Sequence, residues 1–451
     1  MFIAVAPYGG NRYNYGSYPG LGPASGTFLN SFTTGTSLAS SEPREQRGTG
    51  APDAGAVASS QADFDLRSGQ FTNTDAYLFA GEDCPPVGEL CSLAARLRDE
   101  GKGRIATFSP KVFIPLTHLC RDFCGYCTFR ESPETSSRLY MSPEEVLAVA
   151  RAGQRMGCTE ALFTLGERPE QRYPEARKWL ANRGYATTLE YLAEVCRLVM
   201  EETDLMPHAN PGTMSRRELA ALQPYNPSMG LMLESSSPRL YEKGGPHEFA
   251  PSKRPRVRLR TMELAGELGI PFTTGLLIGI GETRQERIDA LLAIRELQRG
   301  HGHIQEVIIQ NFRAKPATPM EESDDATSEE MLWTVAVSRI LLGPDINLQV
   351  PPNLSADNYE TFLSAGINDW GGVSPLTIDF VNPEAPWPAL AELKRRTEEQ
   401  GFELRPRLPV YPEYFLGEEA WLSPALRGKA RTLTDSDGYV NGGMERYAGR
   451  N

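Results

Sequence analysis

The stretch Phe113-Ile-Pro-Leu-Thr-His-Leu-Cys120-Arg-Asp-Phe-Cys124-Gly-Tyr126-Cys127 decides how the rest of the chain is read. An apolar, partly β-branched run over residues 111–117 reads as a strand, and three cysteines follow it within eight residues. Thiolates so spaced can converge on one small inorganic body. A structural zinc site usually closes with four protein ligands, and an electron-carrying iron–sulfur cluster usually has four cysteines, so a count of three is informative. No fourth Cys or nearby His continues the pattern, and His118 lies two residues before Cys120, in the approach from the strand. If a 4Fe–4S cube sits here, one iron lacks a protein ligand and can bind and activate something. A zinc site completed from elsewhere in the chain is the other reading of the same thiols. Cys84, Cys91, Cys158 and Cys196 stand apart and read as inert thiols.

Outward from that stretch, the 451 residues are 23% charged and 40% hydrophobic, the balance of an ordinary soluble globular protein. No apolar run approaches the ~20 residues a membrane-spanning helix needs, so no membrane partner is expected. A net charge of -12 argues against a nucleic-acid binder, whose footprint would be basic. Seven cysteines without a regular framework favour a reducing compartment, with the cytoplasm as the expected location. Residues 1–75 are rich in Gly, Ser, Thr and Ala and predict a disordered extension. The Ser/Thr-rich, acid-poor part of it could instead be an organelle address, a reading weakened by scarce Arg.

Downstream, strand-like and helix-like runs alternate. Ser142-Pro143-Glu144-Glu145 carries a capping box with Pro at the first helical position, and Ser215 with Glu218 and Thr283 with Glu286 repeat the capping pattern. Strands are expected at 161–165, 205–208, 229–234, 272–280, 306–312, 348–351 and 369–374, with helices such as 189–202, 257–268, 329–342 and 388–400 between them. About eight βα units favour an α/β fold of the (β/α)8 TIM-barrel type over an open sheet. The barrel core is expected over 76–380, and residues 381–451 as a last helix and an irregular C-terminal wrap on the barrel.

Barrel enzymes place their chemistry in the loops that follow the strands, and unusual residues fall there. Gly166-Glu167 follows the second strand, His208-Ala-Asn210 the third, Glu234 the fourth, and Gly279-Ile-Gly281-Glu282 the fifth. Asn353 follows the seventh strand, and Asp369-Trp370 lies on the eighth. Glycines in the 275–281 segment let backbone approach a flat ligand closely. Trp370, in a Gly-rich bend, suits either stacking on an aromatic substrate or packing beneath the C-terminal wrap.

Cys120-x-x-x-Cys124-x-x-Cys127 with Tyr126 resembles the signature of the radical S-adenosylmethionine (SAM) superfamily. The resemblance implies a 4Fe–4S cluster on these three cysteines, with SAM chelating the open iron and being split to methionine and a 5′-deoxyadenosyl radical. It implies that Tyr126, Gly166, Glu167, Gly279 and Glu282 lie on the cofactor side. His208-Ala-Asn-Pro-Gly212, Ser228-Met-Gly-Leu-Met-Leu-Glu-Ser235, Glu306–Lys315 written as EVIIQNFRAK, and Asn368-Asp-Trp-Gly-Gly-Val-Ser-Pro375 are further similar to the CofG-type subunit family of FO synthase. That likeness runs over roughly residues 78–440. It implies conversion of 5-amino-5-(4-hydroxybenzyl)-6-(D-ribitylimino)-5,6-dihydrouracil to 7,8-didemethyl-8-hydroxy-5-deazariboflavin (FO), the chromophore of coenzyme F420, with loss of ammonia. A CofH-type second subunit would supply the substrate, and a low-potential donor of the ferredoxin or flavodoxin type the electron. A ribityl chain needs hydrogen-bonding side chains and a phenol an aromatic neighbour, so Asn210, Asn353, Asp369 and Trp370 are the expected substrate contacts.

Overall fold

Eight parallel strands follow one another around a closed ring in a computed structural model that describes residues 73–417 and 421–447. They are β1 (Ile105–Thr117), β2 (Glu160–Leu165), β3 (Met206–Asn210), β4 (Ser228–Gly230), β5 (Phe272–Ile278), β6 (Ile304–Asn311), β7 (Asn347–Gln349) and β8 (Asp369–Val373). β8 pairs with β1 and β1 pairs with β2, which closes the barrel. β5 is buried along its whole length and β1 along all but its first residue, as parallel strands are when helices cover one face and a core the other. The expected extension, residues 1–75, lies outside the described residues except for Asn73 to Asp75, which begin the short helix Asn73–Ala76. No helix among the described residues is long and apolar enough to cross a membrane.

Local sequence sets where the helices begin. Ser142 and Glu145, Ser215 and Glu218, and Thr283 and Glu286 each form the reciprocal capping box expected of them, opening helices Pro143–Arg155, Arg216–Leu222 and Arg284–His301. β4 is shorter than its apolar run, but the chain stays beside β5 beyond it: Leu231 N donates to Thr273 O and Glu234 N to Gly275 O, with Glu234 at φ 65°. A helix ahead of the barrel, Val87–Lys102, is an element the strand-by-strand reading does not supply. Its buried Arg98 donates to Leu363 O at 2.9 Å and Ile367 O at 2.8 Å, and so ties the helix beneath β8.

The C-terminal wrap is more regular than expected. Glu403–Pro406 forms a ninth strand, β9, parallel to Ile105–Phe108 of β1. The chain then runs under the barrel at the end where the strands begin. Arg407 Nε donates to Asp369 Oδ2 at 2.6 Å, while its Nη2 donates to Asp369 Oδ1 and to Glu306 Oε1, each at 2.8 Å. Tyr411 and Thr273 hydroxyls complete Glu306 at 3.0 Å, Thr107 bonds Asp369, and Ser109 bonds Glu160. Ser228 Oγ donates to Pro409 O at 2.7 Å and therefore accepts from His208 Nδ1, also at 2.7 Å. Buried charge is tolerated only when so paired, and this network forms a polar floor for the barrel.

Candidate active site

Above that floor, a cavity of about 320 Å³ opens at the C-terminal ends of the strands, with Cys120, Cys124, Cys127, Glu167 and Asn210 in its wall. The cysteine loop leaves β1 and is pinned by backbone at several points. Glu131 N donates to His118 O at 2.9 Å, Arg121 N to Glu167 O at 2.8 Å, Phe123 N to Phe249 O at 3.0 Å and Gly125 N to Pro246 O at 2.7 Å. Gly166 lies against the loop so closely that a Cβ there would overlap Leu119 O and crowd Cys120 Cβ, so no other residue fits without moving the loop. Glu167 N then points at Cys120 Sγ, 3.1 Å away.

Burial pushes the Cys120 thiol up to about 12 and Cys124 well above its ordinary value, so without a metal both are neutral. Metal binding draws those protons off, because the thiolate is the ligand. No three His, Cys, Asp or Glu side chains among the described residues close on a single metal ion. All three cysteines line the one cavity, and three thiols there fit the sulfur donors an iron–sulfur cluster needs.

Glu167 is fixed in the wall by Thr213, whose N donates to Oε2 at 3.0 Å and whose hydroxyl donates to Oε1 at 2.6 Å. Burial pushes its carboxyl up, and Arg168 Nε at 3.5 Å and Arg121 Nη2 at 3.7 Å supply positive charge beside it. Tyr126 also lines the cavity, but its hydroxyl donates to Glu234 Oε2 at 2.6 Å and lies 3.0 Å from His247 Nε2. Burial alone would raise Glu234, yet Lys253 and Arg258 outweigh it and hold that carboxyl well below the usual carboxylate range. Tyr126 thereby braces the cysteine loop against the β4 turn.

The remaining expected site residues sit elsewhere. Glu282 accepts from Gly279 N and Ile280 N, both at 2.9 Å, and from Arg287 Nε at 2.8 Å; it holds the turn after β5, and neither it nor Gly279 lines the cavity. Asn353 donates to Asp379 Oδ2 and Ala385 O at 3.1 Å each, supporting a cavity residue from behind. Asp369 is fully buried in the floor, bound to Arg407. Trp370 is also fully buried, but on the outer side of β8, where Nε1 donates to Thr397 at 3.0 Å and the indole packs against Tyr359. Neighbours on a strand point to opposite faces, so Asp369 and Trp370 cannot both face inward. The tryptophan that lines the cavity is Trp387, from the segment after β8, together with Lys111, Gln349, Lys315 and Asp379, none of them in the expected set. For Lys111 the alternation of polar residues Thr107, Ser109, Lys111 along β1 is a signal that points it inward.

The barrel and the cysteine loop at the end of its first strand define an enzyme class: residues 114–294 match the family described as the Radical SAM superfamily. Among solved structures, the hydrogenase maturase HydG of Carboxydothermus hydrogenoformans shares the fold at a TM-score of 0.59 and 23% identity, covering 76% of this chain and 78% of that one. Methylornithine synthase PylB does so at 0.58 and 19%, covering 74% and 94%. Over 336 residues the chain is 52% identical to 7,8-didemethyl-8-hydroxy-5-deazariboflavin synthase of Methanopyrus kandleri, 74% of this chain and 100% of that protein. It is 51% identical over 365 residues to the FO synthase of Streptomyces avermitilis, and covers 42% of that longer protein. The chain belongs to the 7,8-didemethyl-8-hydroxy-5-deazariboflavin synthase family. Membership of the radical SAM superfamily implies an iron–sulfur cluster and SAM as cofactors.

Proposed function

We propose that the chain closes the deazaflavin ring system, turning 5-amino-5-(4-hydroxybenzyl)-6-(D-ribitylimino)-5,6-dihydrouracil and SAM into FO, methionine, 5′-deoxyadenosine and ammonia. The observation that carries this reading is the 52% identity along the entire length of a synthase named for that product, joined to a cysteine loop that opens into the same cavity as Glu167 and Asn210. When bound, the 4Fe–4S cluster and SAM supply one-electron cleavage of a sulfonium and removal of a substrate hydrogen atom.

The residues of the chain then have separable tasks. Cys120, Cys124 and Cys127 would hold the cluster. Glu167, already oriented by Thr213, would offer its carboxylate to the amino end of SAM, and Gly166 lets the cysteine loop pack against the end of β2 beside it. Gly279 and Glu282 act from behind, by shaping the turn that ends β5. Asn210, at the end of β3, takes hydroxyls of the ribityl chain. Enclosure at the barrel mouth brings the reacting parts together and keeps water from the reactive carbon.

A CofH-type chain supplies the hydroxybenzyl adduct, and a low-potential ferredoxin or flavodoxin supplies the electron; the longer FO synthases, of which this chain covers 42%, support a second functional part. A reducing compartment such as the cytoplasm suits the free cysteines. The test is an anaerobic incubation of reconstituted protein with adduct, SAM and dithionite, read by deazaflavin fluorescence. Fluorescent FO with stoichiometric 5′-deoxyadenosine is expected; SAM cleavage with no deazaflavin would overturn the reading.

A further inference from the structure

Lys111 enters the cavity with only aromatic rings against its amine. Its amine is 5.2 Å from the ring centre of Phe113 and 5.0 Å from that of Trp387, and all three residues line the cavity. No hydrogen bond or ion pair reaches Lys111 Nζ among the described residues. The carboxylates around it are engaged elsewhere: Glu160 of β2 by Ser109, Glu306 of β6 by Arg407 and Tyr411, and Asp379 by Asn353, Asn382 and the backbone N of Val381. Arg407 is the other cation facing it, from the floor. Space for the amine is made by Gly372, where a Cβ would collide with Lys111 Cδ and Cε and come within 2.5 Å of Nζ. Trp387 Nε1 is also buried with no hydrogen-bond partner. A buried amine and a buried indole N–H left open in one aromatic-walled corner are donors awaiting a ligand.

We infer that this corner receives the hydroxyaryl end of the substrate, the ring lying along Phe113 and Trp387 and its hydroxyl meeting the Lys111 amine, which takes the phenolic proton. The inference rests on the functional reading above, which supplies the substrate. Two aromatic walls and a single polar point match a ring that ends in one hydroxyl, whereas a pyrimidinedione edge or a ribityl chain needs several polar partners in a row. The step balances: the O–H bond breaks, an N–H bond forms on a neutral amine, and an aryloxide–ammonium pair results with no change of oxidation state. Burial pushes the Lys111 amine below its ordinary value, the direction that favours the uncharged form the transfer requires, and the space opposite Gly372 leaves Nζ open to the aryl hydroxyl. Electron density from the aryloxide then enriches the ring that must form the new C–N bond.

FO itself reports on the site, because its 8-hydroxyl is conjugated with the ring system and ionisation shifts the absorption band. FO is titrated into the full-length reconstituted protein at a pH where free FO is partly protonated. Wild type should bind FO with the band displaced to the ionised form. Lys111→Met should bind at least about tenfold more weakly and lose the displacement, and Lys111→Arg should bind without accepting the proton. Gly372→Ala, which leaves the lysine in place but fills its space, should behave like Lys111→Met, and iron content per chain shows that each variant is folded. FO bound by Lys111→Met and Gly372→Ala with wild-type affinity and band overturns the inference alone. Failure of wild type to bind FO at all overturns the functional reading and this inference with it.

Discussion

The two halves of the barrel interior follow opposite rules. In the lower half, Arg407, Asp369, Glu306, Tyr411 and Thr107 satisfy one another within a buried network, and nothing is left for a ligand. In the upper half, cysteine thiols, the Glu167 carboxylate and the Lys111 amine face an open cavity. A polar interior is therefore not by itself a binding site. What separates stability from chemistry here is whether a polar group still faces open space, as Glu167 does even though Thr213 holds it.

The sharpest break comes from the upper half. Cys124→Ala should reduce iron incorporation and FO formation to background while leaving the melting temperature of the metal-free protein near that of wild type; retained cluster in that variant would move the metal site off this loop. In the lower half the reverse is expected. Arg407→Met strands Asp369 and Glu306 without their cation, and breaking such a buried pair costs about 3–5 kcal/mol. Urea unfolding should show that loss, with turnover per folded, iron-loaded chain unchanged; a loss of turnover without a loss of stability would make the floor part of the site.

The two tryptophans sharpen the boundary further. Trp387→Leu should raise KM for the adduct several-fold, whereas Trp370→Phe should leave KM unchanged and cost about 1 kcal/mol through its lost bond to Thr397. Equal effects on KM would mean that the outer face of β8 senses the substrate. The last effect expected is absent at neutral pH and appears only in acid. Burial above all, with the Arg407 guanidinium beyond it, holds the His208 imidazolium down to about 3 against an ordinary 6.5. The unfolded chain thus binds the extra proton between those values, so the contribution of this group to stability is complete above about 6.5 and is lost as pH falls toward 3. Denaturation midpoints at several pH values should show a shallower acid loss in His208→Gln; parallel curves would remove His208 as the cause.

Much of the barrel is legible before any coordinates. Helix starts at Ser142, Ser215 and Thr283 are local hydrogen-bonding events within four residues, and sequence reports local events well. The cysteine spacing is equally local, so the metal-binding loop is legible too. The helix Val87–Lys102 and strand β9 are less so, because each is held by contacts distant in sequence, Arg98 to Leu363 O and Glu403–Pro406 to Ile105–Phe108.

The sequence by itself therefore determined an α/β barrel with three thiols after its first strand, since periodicity and spacing survive without knowledge of neighbours. Only the tertiary structure decided which residues meet the ligand. Strand β8 is buried almost throughout, so hydrophobicity carries no sign of which side chains alternate inward, and Trp370 turned outward while Trp387 took the cavity. The same holds for Asp369: a carboxylate beside a glycine bend looks like a ligand contact until an arginine 38 residues away in the chain is seen to bind it.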